Sequence, residues 1–251
     1  MPKIALITGA TAGIGEATAR IFAEQKYNLV LVARRSERLK ALAESLQNEF
    51  GIECQTITMD VRHKDEVDRL KTLPEEWQQI DVLVNNAGLS QGLDPINEGN
   101  TDDWDTMIDT NVKGLLYVTR LVSEWMVARQ SGHIINIGSI AGKETYANGN
   151  VYCASKHAVD SLNKAMRIDL LPHKIKVTAI HPGAVETEFS EVRFKGDKER
   201  AAKVYEGFEP LMARDIAETI WFVVSRPAHV NINEMLVMPA AQANTTHIIK
   251  N

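Results

Sequence analysis

The chain has 251 residues, 44% of them hydrophobic and 24% charged, which is enough to bury a substantial core and ordinary for a globular protein. A formal net charge of -5 and a pI near 5.8 give no long-range attraction to nucleic acid or an anionic membrane, so neither is expected as a partner. No apolar run approaches the roughly 18–20 residues that cross a bilayer. The opening MPKIALITG leads into a strand and a glycine loop rather than a secretory signal, so a cytoplasmic protein is expected.

The first apolar run, residues 4–8, reads as a strand and passes through Thr8-Gly9-Ala10-Thr11-Ala12-Gly13-Ile14-Gly15 into a helix over 13–25. Glycines at a strand-to-helix turn let the backbone bend sharply and approach a pyrophosphate, whose charge the free N–H groups of the helix start can hold. The second strand, 29–33, ends at Ala33-Arg34-Arg35, where many dinucleotide folds carry an acid for the adenosine ribose. Ala33 brings no negative charge against a 2′-phosphate, and Arg34 and Arg35 offer planar charge-assisted donors to one. NADP is therefore expected over NAD.

A helix over 36–50 leads to a third strand at 55–59, closed by Asp60 and Val61 where an adenine would be bracketed. A helix over 64–73 and a strand at 82–84 follow. Asn86-Ala87-Gly88 then closes that strand, in a position to run beneath the ribose. A long helix over 101–128, a strand at 133–138, a helix over 151–171 and a strand at 176–180 continue the alternation. Residues 182–213 break it with Pro182, Gly183, Gly196 and Gly207, and are expected as an irregular substrate loop. A helix over 215–225, a strand at 234–238 and an aperiodic polar tail over 240–251 complete the chain. Ser36, Thr101 and Asp215 stand where helix N-caps are expected. The expected fold is α/β, a Rossmann-type doubly wound parallel sheet of about seven strands with helices on both faces. With no linker or repeat, residues 1–251 are expected to form one domain.

Tyr152 and Lys156 lie four residues apart, on one face of a helix, and Ser139 follows a strand end that faces the ligand crevice. The two cysteines, Cys54 and Cys153, lack metal-ligand spacing and read as reduced packing residues. No metal site is expected.

Taken together, Thr8-Gly9-x-x-x-Gly13-x-Gly15, Asn85-Asn86-Ala87-Gly88, Asn111, Ser139, Tyr152-x-x-x-Lys156 and Pro182-Gly183 make the chain resemble the short-chain dehydrogenase/reductase family over essentially its whole length. Within the family, the segment 181–194 is most similar to the NADP-dependent 3-hydroxy acid dehydrogenases, including those acting on serine and allo-threonine. The resemblance implies that Tyr152 exchanges a proton with the substrate oxygen as hydride moves at the adjacent carbon. Ser139 would stabilise that oxygen, Lys156 would bond the nicotinamide ribose, and Asn111 would hold a water linking Lys156 to solvent. Ile14, Val185 and Thr187 would join the cofactor-binding residues. A free tyrosine, with a pKa near 10, needs about 4 kcal/mol to reach pKa 7, and Lys156 with the positive nicotinamide is the expected source. The resemblance also implies a homotetramer.

A small hydroxy acid needs a cation for its carboxylate, and Arg193 in the irregular segment is the expected partner. Lys143 and residues 144–149 are expected to form the opposite wall. The competing readings are a reductase of another carbonyl (3-ketoacyl, sugar or xenobiotic ketone) and a non-catalytic NADP-binding module.

Overall fold

The computed structural model describes residues 2–251. Eighteen elements follow one another as β1 (Ile4–Thr8), α1 (Gly13–Glu24), β2 (Asn28–Ala33), α2 (Ser36–Phe50), β3 (Cys54–Thr58), α3 (Lys64–Val67), β4 (Ile80–Asn85), α4 (Thr101–Ile108), α5 (Leu115–Arg129), β5 (Gly132–Ile137), α6 (Asn150–Leu170), β6 (Ile175–Pro182), β7 (Val185–Glu186), α7 (Phe189–Arg193), α8 (Lys198–Lys203), β8 (Leu211–Met212), α9 (Ala213–Val224) and β9 (Glu234–Val237). Seven strands form one parallel sheet in the order β3-β2-β1-β4-β5-β6-β9. The seven strand runs expected from sequence all appear, with ends shifted by at most two residues.

Burial on both faces explains why the inner strands read as continuous apolar runs rather than alternating ones. Successive side chains of β1 divide the core: Ala5 and Ile7 pack with Phe22, Leu39, Leu46 and Ile220 on one face. Ile4 and Leu6 pack with Leu115, Val122, Met126 and Val159 on the other. This is the two-residue period of a strand. Helices α1, α2 and α9 cover the first face, where Phe22, Tyr27 and Trp221 meet edge-on at 5.1 to 5.9 Å between centroids. The edge strand β3 is half exposed, as its polar sequence CQTIT requires. Among the described residues, no helix is long and apolar enough to cross a membrane.

Local chemistry altered several expected elements. The helix expected over 64–73 is α-helical only to Val67 and tightens into a 3-10 turn over Asp68–Thr72. Leu73 must then turn extended because it precedes Pro74. The long helix expected over 101–128 is divided by a π-helical turn, Asp109–Gly114. That turn lets the chain press against the segment that follows β3: a Cβ on Gly114 would lie 2.6 Å from Val61 Cγ2.

The caps differ as well. Asn100, not Thr101, caps α4, accepting from the N–H groups of Asp102 and Asp103 at 2.8 and 3.4 Å. Ser36 is the first residue of α2 and caps nothing. Asp215 lies inside α9 and reaches back to accept from Met212 N–H at 2.7 Å.

The segment 182–213 is built, not irregular. β7 and β8 pair through Val185 with Leu211 and Glu186 with Met212, and α7 and α8 lie between them. The tail also has structure, with Gln242 bridging Ile248 antiparallel.

Candidate active site

The carboxyl ends of the central strands open onto a cleft of about 490 Å³, where the strand order reverses between β1 and β4. Open α/β sheets bind ligands at such switch points. Gly9, Thr11, Gly13, Ile14, Arg34, Arg35, Asp60, Val61, Asn86, Ala87, Gly88, Ser139, Tyr152, Lys156, Pro182, Gly183, Val185, Thr187 and Arg193 all line it. Gly15 and Asn111 are not part of that lining.

Gly9 and Gly13 adopt φ values of +66 and +51, a region that glycine enters without strain. Gly15 serves packing: a Cβ there would lie 2.3 Å from the Gly9 carbonyl oxygen and 2.5 Å from Asn86 Nδ2. Asn86 fastens the loop from the next strand, its amide donating to the carbonyls of Thr8 and Gly9 at 2.9 and 3.2 Å. Thr8 Oγ1 accepts in return from the N–H groups of Asn86 and Ala87. Helix α1 starts behind Ala12 with no side-chain cap. Its first N–H groups therefore remain available, which fits a pyrophosphate.

Ala33, Arg34 and Arg35 put no carboxylate at the end of β2. Arg34 is exposed, 3.9 Å from Asp60 Oδ2. Arg35 is tied to the glycine loop, donating from Nε and Nη2 to Thr11 Oγ1 and O at 3.2 and 3.1 Å. Asp60 lines the cleft with its carboxylate already engaged by Arg62, at 2.7 Å from Nη2. The residues present fit an adenosine carrying a 2′-phosphate.

Helix α6 presents a largely polar buried stripe, Tyr152, Ser155, Lys156, Asp160 and Asn163, at helical spacing. A stripe of that composition has no purely hydrophobic reason to be buried. Asn163 accepts from Asn136 at 3.0 Å, and Asn136 accepts from Asn85 at 2.9 Å. This amide chain registers α6 against β4 and β5. Lys156 Nζ donates to the Ile137 carbonyl at 2.9 Å, and burial pulls its pKa down to about 8.

Burial pushes the Tyr152 phenol up to about 12, with the Ser139 hydroxyl and the Arg193 charge pulling the other way. In the protein alone the cation that acts on the phenol is Arg193; the expected pairing of Lys156 with a positive nicotinamide concerns the cofactor-bound state. The Asn111 side chain, expected to hold a water, is largely engaged by protein partners. Its amide donates to the Leu89 carbonyl at 2.8 Å and to Ser155 Oγ at 3.0 Å, and its oxygen accepts from Leu89 N–H at 2.8 Å. Only a second lone pair is left for a water, and the main work of this side chain is to hold the turn after Gly88.

Arg193 enters the cleft from α7. Its guanidinium stands 5.3 Å from the Tyr152 ring centroid, 5.7 Å from Tyr146 and 5.6 Å from Phe189. Nε donates to Ser90 Oγ at 3.0 Å and Nη2 to the Tyr146 hydroxyl. Such stacked, oriented guanidinium groups suit carboxylate recognition.

Lys143 does not line the cleft, contrary to expectation. It lies 2.8 Å from both Asp160 and Glu234. Those two carboxylates and His181 are close enough to hold a metal, but the Lys143 ammonium already provides their counter-charge. Ser90, Glu188, Gln242 and Thr245 were missed from sequence. Gln242 accepts from Ala184 N–H at 2.8 Å, and Thr245 donates from N–H and hydroxyl to Glu144 at 3.0 and 3.1 Å, so the tail closes one side of the cleft. No period or motif marks these residues; only their contacts place them there.

The fold and this site define a short-chain dehydrogenase: the chain belongs to the short chain dehydrogenase family, whose profile matches residues 3–198. It is 50% identical over 242 residues, 96% of each chain, to the NADP-dependent 3-hydroxy acid dehydrogenase YdfG of Salmonella typhi. It is 41% identical over 250 residues, 99% of this chain and 96% of the other, to the NADP-dependent 3-hydroxy acid dehydrogenase of Schizosaccharomyces pombe. The solved closed form of a serine dehydrogenase complexed with NADP+ superimposes with a TM-score of 0.92 at 45% identity, covering 99% of both chains.

Proposed function

We propose that the chain is an NADP-dependent oxidoreductase transferring a hydride between its cofactor and a small 3-hydroxy acid of the L-serine, L-allo-threonine, 3-hydroxyisobutyrate or 3-hydroxypropionate class. The observation that carries this reading is Arg193, held over the Tyr152 ring at 5.3 Å. A carboxylate partner sits beside the group that exchanges the proton, a separation suited to a short hydroxy acid. The names of the relatives agree with it.

Bound NADP supplies or accepts the hydride. The glycine loop with Ile14, Asn86, Ala87 and Gly88 holds its backbone, Arg34 and Arg35 take the 2′-phosphate, and Asp60 and Val61 border the adenine. Pro182, Gly183, Val185 and Thr187 border the nicotinamide end. Tyr152 exchanges the proton with the substrate oxygen. With a pKa near 12 it is a phenol at neutral pH, poised to donate during carbonyl reduction. Ser139 donates to the same oxygen and stabilises charge developing there. Lys156 holds the cofactor ribose, and Asn111 positions the turn beneath it. The whole chain, 1–251, acts as one domain with 182–213 as its substrate-covering segment, in a cytoplasmic homotetramer.

The test is a panel of these four acids assayed with NADP+ and with NAD+. Oxidation of at least one of them, much slower with NAD+, is expected. No turnover on any, together with activity on a bulky ketone or an acyl thioester, would sink the proposal.

A further inference from the structure

Glu188 precedes α7 and lines the cofactor cleft, and two arginines from the opposite side converge on it. Arg35 Nη1 donates to one carboxylate oxygen at 2.8 Å and Arg38 Nη1 to the other at 2.7 Å. These hydrogen bonds, that from Arg35 first, hold the Glu188 carboxyl below its usual range. Exposed ion pairs of this kind contribute little stability on their own, so folding alone gives no strong reason for the arrangement. Its position does: Arg35 is bound by the same guanidinium to the glycine loop at Thr11, and Arg193 lies at the far end of the short helix that Glu188 introduces.

We infer that Glu188 is a specificity-determining residue, an exchangeable anion that competes with the cofactor 2′-phosphate for Arg35 and Arg38. The inference rests on the NADP reading above. Two anions cannot share these guanidinium groups without mutual repulsion, so a phosphate arriving at Arg35 displaces the carboxylate or binds against it. A ribose with a free 2′-hydroxyl makes no such demand. Glu188 therefore weakens NADP binding selectively, and its displacement releases the start of α7 and with it the helix that carries Arg193. Linkage makes the effect reciprocal: whatever frees α7 from the arginines tightens the phosphate-bearing cofactor by the same factor.

The test measures dissociation constants of NADPH and NADH by calorimetry for the native chain and for Glu188→Gln, an exposed substitution that keeps side-chain size. The variant is expected to bind NADPH about fivefold more tightly, the scale of two exposed ion pairs, with NADH affinity unchanged. Hydrogen exchange of residues 189–193 gives an independent readout. In the native chain saturating NADPH and NADH should protect this segment differently, and in Glu188→Gln the difference should vanish. Native preference for NADPH combined with unchanged or weaker NADPH binding by the variant overturns the inference while leaving the NADP reading intact. Equal native affinities for the two cofactors overturn both.

Discussion

Tyr152 shows how an environment changes the work a residue demands. From the free amino acid, ionisation near pH 7 needs about 4 kcal/mol. With the phenol at about 12, the same ionisation needs on the order of 7 kcal/mol at 1.36 kcal/mol per unit. The protein alone thus favours the protonated form, the state that donates a proton when a carbonyl is reduced. Tyr152→Phe should lower turnover by about 10²- to 10⁴-fold, the usual range for a general acid, while leaving NADPH affinity nearly unchanged. Steady-state rates and a binding titration check this, and substantial residual activity would remove Tyr152 from the proposed role. The Tyr152 and Lys156 pair was legible because four-residue spacing places both on one helical face. The phenol pKa was not, because the burial comes from residues distant in sequence, among them Leu89, Met107 and Phe189, whose approach no local pattern records.

Among the elements, the π-helical turn between α4 and α5 has the clearest structural cause. A wider turn at Asp109–Gly114 brings Gly114 against Val61 at the cleft wall and points Asn111 at the Leu89 backbone. Gly114→Ala should destabilise the protein by about 1–3 kcal/mol, as overpacking does, because the new methyl would meet both Cγ2 and Cβ of Val61. Adding Val61→Ala should recover part of that loss. Denaturant titrations of the four chains in this cycle test it, and strictly additive effects would show that the two residues do not bear on each other.

The inner strands were readable from sequence because two-sided burial writes itself as nearly uninterrupted apolar runs. The substructure of 182–213 was not. Its ladder has only two residues a side, and α7 and α8 are too short to show a period. The tail was hidden for a different reason, since its side chains are polar and bind specific backbone groups.

For the molecule as a whole, one buried histidine sets a limit in acid. His133 in β5 is buried between β4 and β6, paired at Nε2 with Thr178 Oγ1 at 2.9 Å. Burial, aided by Lys176, lowers its pKa from 6.5 to about 3. Between these two values the unfolded chain binds a proton that the folded chain refuses, so stability falls as pH falls through that window and the loss levels off below about 3. At pH 5 the loss amounts to about 2 kcal/mol. Urea midpoints measured at pH 7 and pH 5 should differ accordingly, and His133→Gln should narrow the gap. An equal gap in both chains would assign the acid sensitivity to other groups.

The order of the strands has a further consequence, for synthesis. Gly9 and Ile248 face the same cleft, so its opposite walls are made at widely separated times during translation. Strand β1 must wait for β4 before its second edge is paired, and β6 must wait for β9; such distant parallel pairings form slowly. A growing chain therefore displays its glycine loop long before the residues that enclose it, and the cleft is complete only once the residues up to Ile248 have been made.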